Sequence, residues 1–132
     1  NAFRHTHPPR KLFLELVREA GPNPDAAMTN LIGRVSAELW TLPQMSMSTA
    51  AQLAVGNDPM LEAAIVKDLG NSFEQALPRA VQTAMTGEAD LSAASDLARM
   101  TALLLQISPS FSLRGGTREI LRGIIARGLG LR

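Results

Sequence analysis

Apolar side chains recur at every fourth position from Leu61 through Ile65, Leu69, Phe73, Leu77 and Val81 to Met85. An α-helix keeps such residues near one face, since its turn holds about 3.6 residues, and strands in globular proteins do not run that far. Asn57-Asp58-Pro59 supplies capping side chains and a proline for the first turn, and Gly87 closes the segment. A helix of that extent would be roughly 42 Å long at 1.5 Å per residue. Gly70-Asn71 and Pro78 lie within it, and the missing N–H of Pro78 predicts a bend there.

The rest of the chain carries the same punctuation. Residues 10–20 follow Pro8-Pro9 and stop at Gly21-Pro22, with Leu12, Phe13, Leu16 and Val17 at helical spacing. Asn23-Pro24-Asp25 opens a second helix reaching about Leu42, with Met28, Leu31, Ile32, Val35, Leu39 and Trp40 inward. Pro43 is expected to start a separate, shorter helix over residues 44–55, whose serines and threonines are poor helix formers. Asp90 is expected to cap a helix over 91–107, with Leu97, Met100, Leu103, Leu104 and Ile107 on its apolar side. Residues 108–116 form a loop, and Thr117 with Glu119 opens a last helix carrying Ile120, Leu121, Ile124 and Ile125 and fading at Gly128. With no tyrosine, few β-branched residues and no alternating apolar run, strands are not expected. The fold class is therefore all-α, an antiparallel bundle of about six helices in one domain.

At 132 residues and 45% apolar, the chain can bury a core of its own. No apolar run reaches the length of a membrane span, and the polar residues 1–9 lack a signal-peptide pattern. The absence of cysteine excludes disulfides and thiolate chemistry and suits the cytoplasm. Net charge is +1, but unevenly distributed: residues 1–20 carry four basic and two acidic side chains, whereas residues 21–113 carry four basic and nine acidic ones. A basic start beside an acidic body suits an anion met at one end only; ordinary solvated faces would give the same counts. Catalytic patterns are lacking. His5 and His7 are two apart, not i and i+4 as in a helical H-E-x-x-H metal site, and Gly115-Gly116 has no phosphate-loop context. Glu15 and Glu19 are a helical pair flanked by cations, which reads as a solvated ion network. The chain is expected to be no enzyme and to need no metal or cofactor.

Residues 1–17, NAFRHTHPPRKLFLELV, resemble the end of the DNA-binding headpiece of the TetR family of transcriptional regulators. Phe3-Arg4-His5 stands for the triplet that ends the family's recognition helix, and Leu12-Phe13 opens the next helix after the same gap. The Asn-Asp-Pro start at 57–59 and the closing helices 91–107 and 117–128, joined by a Ser-Pro loop, are similar to the family as well. Thr6 and Pro9 depart from it, where Phe and a basic residue are usual, and the basic residues shift to Arg10 and Lys11.

The resemblance implies a TetR C-terminal-domain-like fold over residues 10–132, preceded by a remnant of the helix-turn-helix headpiece at 1–9. A recognition helix needs its companion helix to brace it in the groove, so operator DNA binding is implied for a parent protein only. Phe3, Arg4, His5, Arg10 and Lys11 are then the candidate DNA and phosphate contacts. A small, largely apolar effector would bind among Met28, Trp40, Met60, Phe73, Met85 and Met100, thioethers being adaptable in shape. Helices 91–107 and 117–128 would pair with their two-fold mates in a homodimer through Leu103, Leu104, Ile107, Ile120, Leu121, Ile124 and Ile125. From the residues alone, each set also has a reading as monomer core, which is the commoner one for methionines and aromatics at helical spacing. The alternative function is a stand-alone helical module that binds a partner protein.

Overall fold

The structure, a computed structural model, describes residues 7–131. The described residues form five α-helices: α1 (Pro8–Ala20), α2 (Ala26–Ala54), α3 (Met60–Ala84), α4 (Asp96–Ile107) and α5 (Arg118–Gly128). A 3₁₀ segment, Ser108–Leu113, joins α4 to the loop before α5, and no strand occurs among the described residues.

α1 starts two residues before the expected point, so Pro8 and Pro9 form its first turn instead of ending a preceding segment. Neither nitrogen has a hydrogen to satisfy there, and the His7 carbonyl accepts from the Arg10 and Lys11 amides at 3.0 and 3.2 Å. Gly21 ends the helix at φ +67°, a left-handed conformation that favours glycine. Leu12 and Leu16 are fully buried, while Val17 is largely outside the core.

The expected break at Pro43 does not occur. Residues 26–54 form one helix, capped by the Asp25 carboxylate accepting from the Met28 amide at 2.8 Å, and Pro43 lies within it. A proline costs a helix one hydrogen bond, here the one to the Leu39 carbonyl, without obliging it to stop. Of the hydroxyls expected to weaken the second half, that of Thr49 bonds back to the Met45 carbonyl at 3.0 Å. Asn57 and Asp58 do not cap α3. Its N-terminal position is the buried Pro59, with no side-chain cap, while the Asn57 amide closes α2 on the Gln52 carbonyl at 3.1 Å.

α3 runs unbroken through Gly70-Asn71 and Pro78 and is the helix on which α1, α2, α4, the 3₁₀ segment and α5 all pack. Its four-residue repeat advances about 400° per step, so the apolar line drifts about 40° around the helix each time. Phe73, Leu77 and Val81 consequently face the main core with Leu12, Leu16, Leu31, Val35, Leu97, Leu104 and Phe111. Leu69, one step earlier, turns outward and is 45% exposed. Leu61 instead packs at Gly128, where an added Cβ would lie 2.9 Å from its Cδ1.

Asp90 does not start α4. Its carboxylate accepts from the Ser92 amide and hydroxyl, both at 2.8 Å, closing a turn that competes with helix. The cap is Ser95, whose hydroxyl accepts from the Ala98 amide at 3.3 Å and donates to Glu19 Oε2 at 2.6 Å, tying α4 to α1. α5 opens as expected, with the Thr117 hydroxyl accepting from the Ile120 amide at 3.5 Å. Asp68 of α3 holds it through Arg118 and Arg122, at 3.6 and 3.5 Å.

Candidate effector groove

Three helix faces converge on an open groove of about 760 Å³. From α1 and the residue that precedes it come Arg10, Phe13, Leu14 and His7, and from α3 Val66, Gly70, Phe73 and Glu74. From α2 come Ser36, Leu39, Trp40, Pro43 and Ser46, spaced so that they share one side of that helix, with Leu42 at the margin. The wall is thus mainly aliphatic and aromatic, with few polar groups, as in small-molecule sites. Gly70 keeps the α3 side low, since a Cβ there would meet no atom within 4 Å. Pro43 leaves the Leu39 carbonyl of the α2 wall without its helical donor.

The charged groups lie toward the start of α1. Glu74 is mostly buried and spends each carboxylate oxygen on a different partner: Oε1 on His7 Nε2 at 2.6 Å, Oε2 on an Arg114 nitrogen at 3.3 Å. The Arg114 guanidinium in turn lies 4.6 Å from the centre of the Phe111 ring. Glu74 therefore joins the beginning of α1 to the loop that leads into α5.

Of the pocket residues expected from sequence, Trp40 and Phe73 line this groove, Phe73 from its base and Trp40 from its rim at 73% exposure. Met28, Met85 and Met100 pack against the core cluster instead, and Met60 is exposed at the start of α3. A methionine's flexibility serves a core as well as a pocket, and residue type alone does not separate the two. His7, Arg10 and Glu74 were missed as groove residues. They meet only because α1 lies on α3, and no local pattern carries that information.

Leu104 and Leu121, expected at a dimer interface, are 3% and 5% exposed within the single chain and belong to its core. Leu103, Ile107 and Ile120 are exposed, and Ile124 and Ile125 are half-buried. α4 packs on α1 and α3, and α5 on α3, so the two helices are neighbours of α3 more than of one another. Phe3, Arg4 and His5 lie outside the described residues; Arg10 is exposed and Lys11 half-buried on α1. Among the described residues no group of three His, Asp or Glu side chains is placed to hold a metal ion, and no helix is long and apolar enough to cross a membrane. Comparison with protein-family models, curated proteins and solved structures gives no match.

Proposed function

We propose that this chain is the effector-binding and dimerising part of a TetR-type transcriptional regulator, with the effector seated between α1, α2 and α3. The observation that supports this most directly is that the first turns of α1 are themselves a wall of the groove, through His7, Arg10, Phe13 and Leu14. Residues 3–5, which resemble the end of a recognition helix, stand just upstream of that wall. An occupant that prefers one position of α1 would therefore bias the headpiece of the parent protein. The bias can be no larger than its difference in affinity for the two positions.

Trp40 is the single tryptophan of the chain and stands at the groove. Titration with the neutral, apolar probe N-phenyl-1-naphthylamine should quench its emission saturably. Filling the groove with Gly70→Leu should abolish that response while leaving the far-ultraviolet circular dichroism unchanged, because leucine is the better helix former and the space is open. Equal binding by the filled variant would remove the groove as the effector site.

A further inference from the structure

We propose that the groove selects amphipathic anions, taking an apolar body along α2 and α3 and a carboxylate or sulfonate against Arg10; this rests on the effector-site reading above. The apolar part follows from the wall, where Phe13, Leu39, Trp40, Val66 and Phe73 supply contact surface and hydroxyls come only from Ser36 and Ser46. Ser36 already donates to the Ile32 carbonyl at 2.7 Å. The sign of the charge follows from how the ionic groups are committed.

Glu74 is the lining carboxylate, and it is not open to a cationic ligand. His7 and Arg114 hold its two oxygens, and Arg114 offsets its charge. Arg10 lies one turn along α1 from His7, on the same side of the helix, and has no carboxylate within ion-pair distance among the described residues. A cation in this groove would meet a spent carboxylate and a guanidinium that pairs with no carboxylate among the described residues. An anion would meet the guanidinium. Arginine also presents a planar fork of donors matched to the two oxygens of a carboxylate, and such charge-assisted bonds exceed neutral ones in strength.

Two probes with the same ring system separate charge from hydrophobicity: 1-anilinonaphthalene-8-sulfonate and its unsulfonated counterpart N-phenyl-1-naphthylamine. Each is titrated into the full chain, with Trp40 quenching and energy transfer as the readout. The sulfonate is expected to bind about fivefold or more tightly, a margin that narrows with added salt. Arg10→Gln, at an exposed position, should erase that margin and leave the neutral probe unaffected. Decanoate, an aliphatic anion, should displace the sulfonate from the native chain and do so several-fold less well from the variant. If the neutral probe binds as tightly as the sulfonate, or Arg10→Gln weakens both alike, charge selection is overturned while the groove remains an effector site. If neither probe reaches Trp40 saturably, the effector-site reading falls and the anion proposal falls with it.

Discussion

A single methyl group has opposite consequences at two helical glycines. At Gly33, in the exposed part of α2, an added Cβ meets no atom within 4 Å. Gly33→Ala should therefore stabilise the chain by about 0.5–1 kcal/mol, because alanine loses less backbone entropy in a helix. At Gly128, the last residue of α5, the added carbon would lie 2.9 Å from Leu61 Cδ1 and 3.2 Å from Leu61 Cβ. The Cβ is fixed by the α3 backbone, so α3 and α5 would have to part. Gly128→Ala should cost about 1–3 kcal/mol, the usual penalty for overpacking. Urea denaturation of the two variants gives both signs; stabilisation at Gly128 would mean that α5 is not held this close to α3.

Within single elements, the beginning of α5 and the middle of α2 each carry a measurable consequence. The Glu119 carboxyl is held below its ordinary value by its own backbone N–H, then by the Thr117 hydroxyl, against an opposing effect of desolvation, with the smallest help from Arg118 and Arg122. Its folded value is lower than its unfolded one, so the unfolded chain takes up the proton first as pH falls. The stabilisation is accordingly complete above the ordinary value of 4.5 and disappears as pH drops through the depressed one. Glu119→Gln should be less stable than the native chain at pH 7 and equal to it at pH 2 in thermal melts. In α2, Pro43 is exposed and buries little, so Pro43→Ala restores the bond to the Leu39 carbonyl at small packing cost. A gain of about 1–3 kcal/mol is expected by chemical denaturation, and a loss would show that the proline's ring is itself a needed contact.

These elements also show what local sequence can carry. Gly21 and Thr117 were legible because a left-handed stop and a hydroxyl cap are decided within one turn. Asp90 and Ser95 are equally good caps on paper. The choice falls to Ser95, whose hydroxyl bonds to Glu19 at the far end of α1, a contact between residues 76 apart in the chain. The repeat from Leu61 to Met85 announced a helix but not its inward face, because a step of four residues keeps turning around the axis. The groove was half legible for the same reason. Large side chains at Trp40 and Phe73 signal an apolar surface somewhere, whereas Arg10 and Glu74 acquire their meaning only when α1 is laid on α3.

At the scale of the whole molecule, the resemblance implies a two-fold dimer, and the fold narrows where one would form. Burial of Leu104 and Leu121 removes them from any contact with a second copy. What remains is a strip on α4, Leu103 and Ile107 one turn apart, and a strip on α5 around Ile120, which is 58% exposed. With α3 as their shared neighbour, the two strips would meet a two-fold mate as flanks of α3. Light scattering should then give twice the chain mass. Ile120→Glu should return it to one chain mass with circular dichroism unchanged, since an exposed side chain takes no part in the fold while a buried charge at an interface is costly. Leu104→Glu should instead unfold the chain, as a charge placed in the core must. A native chain that scatters as a monomer at high concentration would overturn the dimer. The exposed strips would then fit a helical module that docks on a different protein, the rival function for a fold of this kind.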